Sequence, residues 1–236
     1  MKIKLSPSII CAGIAHLEQD IRQLEYFNVD YIHVDVMDGH FVSNLFGGPE
    51  YIDSLRSFSH TPLDIHLMID HVENALDMFS FTPEDSVSFH LEATQHAQQV
   101  ISYLKDKNVR VGIALNPATP LSLIENILPM LDFVQILTIN PGHSGQKIVP
   151  YTFKKIADLR KIIYTYKYDI DIEMDGSSDF SNINDFASAG ANVIVIGARN
   201  CFAPGYTITQ AMQKIIQVLS KAGYELNCEQ ARKDNL

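Results

Sequence analysis

The chain is expected to fold as one closed (β/α)8 barrel, and three features of the sequence predict it. Eight short β-branched or apolar runs recur along the chain, and stretches with helical periodicity lie between them. Such alternation of strand and helix implies a parallel sheet built through right-handed crossovers. The third feature is length, since 236 residues accommodate eight units in a barrel of ordinary size. With 46% apolar residues, the chain can bury a single large core without disulfides.

In order, the runs are Leu5 to Ile9, Tyr31 to Met37, Leu63 to Met68, Ser86 to His90, Arg110 to Leu115, Phe133 to Ile139, Ile170 to Met174 and Val193 to Ile196. Each is short enough for a strand and carries the residue types strands favour. Between the first two, Leu17, Ile21, Leu24 and Tyr26 recur near helical spacing, as do Phe153, Ile156, Leu159 and Ile163 between the sixth and seventh. A doubly wound open sheet is the alternative arrangement of the same units. Against it, Ser6-Pro7-Ser8 stands where the first strand of a dinucleotide-binding sheet would lead into G-x-G-x-x-G. No low-complexity linker divides the chain. Residues 1–223 are therefore expected to form one domain, and the polar segment 224–236 a tail that frays.

Composition bounds the function. Acidic residues outnumber basic ones to give a net charge of −10, which argues against nucleic acid, whose phosphates demand a Lys/Arg surface. A small phosphate is not excluded, because backbone N–H groups attract an anion locally. Lys2 and Lys4 before an apolar run give the start the outline of a signal peptide, but Ser6, Pro7 and Ser8 interrupt it. No stretch approaches the ~18 apolar residues that span a bilayer. Cys11, Cys201 and Cys228 are odd in number, far apart and without a C-x-x-C pair, which suits free thiols in a reducing compartment. A soluble cytoplasmic protein without a membrane partner is expected.

Strands buried on both faces should be apolar throughout, and several here are not. In the second run His33, Asp35 and Met37 alternate with Ile32, Val34 and Val36; in the third, Asp64, His66 and Met68 alternate with Leu63, Ile65 and Leu67. In the seventh, Asp171, Glu173 and Asp175 alternate with Ile170, Ile172 and Met174. Side chains alternate with period two, so the apolar parity should face the helices and the polar parity the barrel interior. Charges there are costly unless paired or metal-bound. His33, Asp35, His66 and Asp175 would converge at the strand C-terminal ends, where barrels keep their sites, and form an N2O2 set for Zn2+, Mn2+ or Fe2+. The alternative for any one of them is an interior group satisfied by hydrogen bonds. His60, His71 and His96 fall in loop or helix patterns and are expected on the surface.

Three loops have the composition of phosphate grips. Asn140-Pro141-Gly142-His143-Ser144-Gly145-Gln146 follows the sixth run, Gly176-Ser177 the seventh and Gly197-Ala198 the eighth. Glycine lets backbone amides approach an anion closely, and barrels commonly bind phosphate with the loops after their last strands. An ordinary turn is the alternative for each.

At these residues the sequence resembles the ribulose-phosphate 3-epimerase family, and the resemblance extends to about Leu219. It rests on Ser6-Pro7-Ser8-Ile9, on the run from Ile32 through Asp38-Gly39-His40-Phe41-Val42, on Leu63 to Met68, on Ala114-Leu115-Asn116-Pro117-Ala118-Thr119-Pro120 and on Asn140-Pro141-Gly142. The resemblance implies one divalent metal on His33, Asp35, His66 and Asp175, with the two aspartates as acid and base. It implies further that Ser8 and His66 touch a small phosphorylated ketose and that Met37 and Met68 line the site. No organic cofactor is needed, and a homo-oligomer is expected.

The sequence departs from that family at the phosphate end. His143-Ser144 replaces a Phe-Gly pair, Leu137 a third methionine, Ser177 a glycine and Ala198 a serine, and Arg199 to Phe202 lengthen the last loop by one residue. The Asp-Gly-Ser motif and the longer loop resemble the allulose-6-phosphate branch, whereas His90-Leu91-Glu92-Ala93 resembles the pentulose branch. Two other functions compete. A sugar-phosphate decarboxylase on the same barrel would place Asp-x-Lys on the third strand, where Asp64-Ile65-His66 stands. A non-catalytic phosphate-binding barrel would not need the retained aspartates.

Overall fold

A computed structural model of the chain describes residues 1–228. Its strands are β1 (Lys2–Pro7), β2 (Ile32–Asp38), β3 (Leu45–Phe46), β4 (Leu63–Met68), β5 (Ser86–His90), β6 (Arg110–Leu115), β7 (Phe133–Leu137), β8 (Asp171–Asp175), β9 (Val193–Ile196) and β10 (Glu225–Leu226). Its α-helices are α1 (Leu17–Tyr26), α2 (Pro49–Arg56), α3 (Ala97–Asp106), α4 (Tyr151–Tyr166), α5 (Ile183–Ala189) and α6 (Ile208–Lys221).

All the expected strands form, with shifted ends: β1 starts at Lys2 and yields at Pro7 to a 3-10 turn, Ile9–Cys11, and β8 runs on to Asp175. Two crossovers are not α-helical. Val72–Asn74 with Leu76–Met78, and Leu121–Ile124 with Leu128–Met130, form pairs of 3-10 turns instead. In the second pair Pro129 lacks the N–H a continuing α-helix would use.

Parallel pairing runs β1-β9-β8-β7-β6-β5-β4-β2. A parallel bridge between Ser8 and His33 closes the circle, helped by the amides of Asp30 and Tyr31, which donate to the Leu5 carbonyl at 3.2 and 3.3 Å. The result is the expected (β/α)8 barrel. β3 folds back antiparallel on β2, with Met37 opposite Phe46. β10 pairs parallel with the start of β1, Lys2 opposite Glu225. The tail expected from Tyr224 therefore begins inside the fold, and its remainder, 229–236, lies outside the described residues. Among the described residues no helix is long and apolar enough to cross a membrane.

The apolar parity builds the layer between sheet and helices: Ile32, Val34 and Val36, Leu63, Ile65 and Leu67, and Ile172 and Met174 are all buried there. From the helix side, α6 contributes Ile208, Met212, Ile215 and Leu219; a capping box between Thr207 and Gln210 satisfies its first amides. The other parity meets across the lumen. Ser6 Oγ donates to Asp64 at 2.7 Å and Ser88 Oγ to Gln135 at 2.6 Å, contacts between non-adjacent strands that only inward side chains can make. Gly112 makes room for the Phe133 ring, which a Cβ at that position would strike.

Candidate active site

The C-terminal ends of β2, β4 and β8 bring Asp35, His66 and Asp175 together above His33. Pairing sets this out: Asp35 lies opposite His66 in the β2–β4 register, and His33 opposite Asp64. His33 Nε2 lies 3.3 Å from Asp35 Oδ1 and 3.9 Å from Asp175 Oδ2, and His66 Nδ1 lies 3.2 and 3.6 Å from the same two oxygens. Four ligands in a tetrahedron around a divalent ion at ~2.1 Å stand about 3.4 Å apart. The expected set thus has the spacing of a metal site, its four ligand atoms all within 4.8 Å of one another.

The protonation pattern fits a cation as well. His33 Nδ1 lies 2.7 Å from Asp64 Oδ2, which also accepts from Ser6 Oγ. When Nδ1 carries the proton, Nε2 is left with a lone pair, and that buried atom has no hydrogen-bond partner. The Nε2 atoms of His66 and His90 are 2.9 Å apart. When His66 donates there, its Nδ1 also turns a lone pair toward the carboxylates. Burial opposes charge on His33, but Asp64 and Asp35 outweigh it and raise its pKa well above the ordinary value, so the site draws positive charge, and a divalent ion bound at Nε2 would take the place of a proton there.

The two aspartates differ. Burial opposes ionisation of Asp35, but the imidazoles of His33 and His66 outweigh it and hold the carboxyl well below its ordinary range. Ser8 Oγ adds a 3.0 Å bond to Asp35 Oδ2. Asp175 is pushed up to about 7 by burial, with Asp35 and Asp64 adding to the rise, while His33 and the Gln135 amide oppose it. One carboxyl is held ionised and its neighbour is poised near neutrality, the division of labour an acid/base pair requires. Burial, with His90 and His33 adding, lowers His66 to about 4 against the pull of Asp35, which keeps it an uncharged ligand at neutral pH.

Above these groups opens a cavity of about 430 Å³. Ser8, Met37, Met68, Gly142, His143, Ser144, Gly145, Gly176, Ser177, Gly197 and Ala198 all line it, with Asp35, His66 and Asp175. His33 alone of the expected site residues does not, because it lies under the floor, fully buried. The glycines have local reasons. A Cβ on Gly142, φ +96°, would come within 2.7 Å of Val42, and one on Gly176, φ +114°, within 2.6 Å of Ile139. Ser177 takes a left-handed φ of +51° and its Oγ donates to the Gln146 carbonyl at 2.6 Å. Met37, Met68 and Val42 form a small apolar cluster beside the cavity, apart from the main core. His60, His71 and His96 are exposed, as expected.

Three residues outside the expected set also belong to the site: Cys11 and Asn44 line the cavity, and His90 lies beside His66. His90 shares the inward parity of Ser86 and Ser88, a signal legible in the sequence; Cys11 sits on a 3-10 turn where no periodicity applies. Burial pushes the Cys11 thiol up to about 11, so it is uncharged at neutral pH.

A cavity at the C-terminal ends of parallel barrel strands, with two carboxyls and an imidazole on its floor, is the arrangement of a barrel enzyme. The sequence profile of the ribulose-phosphate 3 epimerase family matches residues 4–200. Ribulose-phosphate 3-epimerase of Buchnera aphidicola (Acyrthosiphon pisum) is 41% identical over 198 residues, 84% of this chain and 87% of that protein. The Escherichia coli K12 and Bacillus subtilis enzymes of the same name are 33% and 38% identical, covering 94% and 83% of this chain and 98% and 91% of theirs. The chain belongs to the ribulose-phosphate 3-epimerase family, a family of isomerases. Among solved structures, a mutant tryptophan synthase alpha-subunit from Pyrococcus furiosus superposes with a TM-score of 0.64 over 92% of this chain and 98% of that one, at 13% identity, a likeness of fold alone.

Proposed function

We propose that the chain interconverts D-ribulose 5-phosphate and D-xylulose 5-phosphate, with Asp35 and Asp175 exchanging protons on opposite faces of the reacting carbon. The observation that carries this reading is the pair itself: two carboxyls at the same end of the barrel, on β2 and β8, both on the cavity floor and both within reach of His33 and His66. Inversion needs a base on one face and an acid on the other. Asp35 from β2 and Asp175 from β8 would each face one side of the carbon, so one carboxyl accepts the proton and the other returns one on the opposite face; the roles exchange in the reverse direction. Ser8 Oγ orients Asp35, Gln135 orients Asp175, and Met37 and Met68 present a polarizable apolar wall that keeps water from the reacting carbon. His33, Asp35, His66 and Asp175 would hold one divalent ion, Zn2+, Mn2+ or Fe2+, which supplies electrostatic stabilisation of the negative charge that develops on the substrate oxygens. No organic cofactor enters this scheme.

The loops after β7, β8 and β9 would receive the phosphate. A hexulose 6-phosphate is the second reading, favoured by Ser177 and by the lengthened loop after Ala198. A decarboxylase is disfavoured, since no lysine lines the cavity among the described residues. Three unpaired thiols support a reducing, cytoplasmic setting; a homo-oligomer is part of the same proposal, and neither nucleic acid nor membrane is.

The test is turnover of ribulose 5-phosphate and allulose 6-phosphate by protein never exposed to chelator, alongside elemental analysis. The expected outcome is about one divalent ion per chain, faster turnover of the pentulose, loss of activity in EDTA and recovery on adding metal. Full activity in verified metal-free protein would refute the metal role, and turnover of neither ketose would refute the function.

A further inference from the structure

The cavity is electrostatically lopsided. Its floor carries Asp35 and Asp175, and the chain as a whole is at −10, so a phosphate dianion approaches against the field of the protein. Among the residues that line the cavity, Arg199 is the one with a permanently cationic side chain.

The donors around it are largely spent. Ser177 Oγ donates to the Gln146 carbonyl at 2.6 Å, Ser178 Oγ to the Val195 carbonyl at 2.7 Å, and Ala198 has no hydroxyl. The Asn200 amide is turned away to Ser178. Beyond backbone amides, the guanidinium of Arg199 is what the β8–β9 side of the rim offers an anion. Its partner is Asp179, with Nη2 3.6 Å from Oδ2, too long for a close hydrogen bond, while Oδ1 of Asp179 is occupied by Ser181 and Asn182. Asp179 thus orients Arg199 at the rim without saturating its five donors. The side chain is 46% exposed, free to turn toward a ligand.

We propose that Arg199 binds the phosphate group of the substrate, replacing with a charge-assisted contact the hydroxyl that Ala198 lacks. This rests on the phosphorylated-ketose reading of the site. Phosphate is remote from the reacting carbon and is held alike in ground and transition states, so the contact acts on KM and leaves kcat alone.

The experiment compares metal-loaded wild type, Arg199→Ala and Arg199→Lys at low ionic strength. Inorganic phosphate is the probe, titrated calorimetrically and as a competitive inhibitor of ketose-phosphate turnover. In Arg199→Ala, KM and the phosphate dissociation constant should rise together by about tenfold or more, with kcat within about twofold, and Arg199→Lys should fall between. Unchanged KM and unchanged phosphate affinity would overturn the proposal and leave Arg199 in solvent. A fall in kcat at constant KM would overturn it too. The calorimetric titration needs no turnover: phosphate binding that depends on Arg199 in a protein inert toward both ketoses would uphold the anion contact while refuting the epimerase reading.

Discussion

Asp171 and Asp175 begin and end β8, share one inward face, and meet opposite fates. At the N-terminal end, Asp171 receives Lys4 at 2.8 Å, Arg110 at 2.6 Å and the Asn192 amide at 2.5 Å. Arg110 in turn donates to the Tyr31 hydroxyl at 2.6 Å. Burial raises the Asp171 pKa but these partners outweigh it, so the carboxyl sits below its ordinary value. Four residues on, Asp175 has no lysine or arginine partner among the described residues and is pushed up to about 7. Glu173 between them is raised as well, by burial first and by Asp64 next. The barrel closes its bottom with neutralised charge and leaves its mouth in electrostatic debt. What is satisfied at the bottom holds the fold, and what is left unsatisfied at the mouth is what the proposed chemistry draws on.

That contrast can be broken at either end. The largest effect is expected at the mouth: Asp175→Asn should lower kcat about 10²- to 10⁴-fold, with unfolding by urea nearly unchanged. Metal content must be measured in parallel, and a metal-replete Asp175→Asn protein with near-normal turnover would remove Asp175 from the chemistry. One layer down, Asp64→Asn should weaken metal binding about 10- to 100-fold, because the carboxylate fixes the His33 tautomer. Metal competition with a chromophoric chelator reads this directly, and unchanged affinity would show that His33 needs no such support.

At the bottom the prediction reverses. Asp171→Asn should cost about 1–3 kcal/mol of stability and leave kcat and KM unaltered, by urea denaturation and steady-state kinetics. Because the Asp171 pKa is lower folded than unfolded, its contribution is complete above the ordinary carboxylate range and is lost as pH falls through the folded value. The stability gap between wild type and Asp171→Asn should therefore shrink on acidification. A gap that stays constant with pH would mean that the ion cluster is not the source.

The same contrast explains what the sequence makes legible. Parity alone places Asp171, Glu173 and Asp175 inward, and it does so for His33, Asp35 and His66, because a covered strand that alternates has no other place for its polar side chains. Parity does not distinguish Asp171 from Asp175, since Lys4 and Arg110 come from strands remote in sequence. Position along the strand does, through the rule that barrels act at their C-terminal ends. Features off the strands escaped for lack of any period: the 3-10 turn carrying Cys11 and the paired 3-10 crossovers. A two-residue strand such as β10 is also too short to show a pattern.

That short strand has a practical meaning. β9 covers β1 only from Lys4 onward, so Lys2 and Ile3 would otherwise present bare backbone at the end of the barrel. Glu225 and Leu226 mask this stub, and Leu226 and Cys228 are themselves buried against the fold. An unmasked edge invites pairing with other chains. Trimming the protein after Gly223, where the composition turns polar, would uncover a sticky edge and strand apolar surface in water, giving a protein that clumps while its catalytic end is intact.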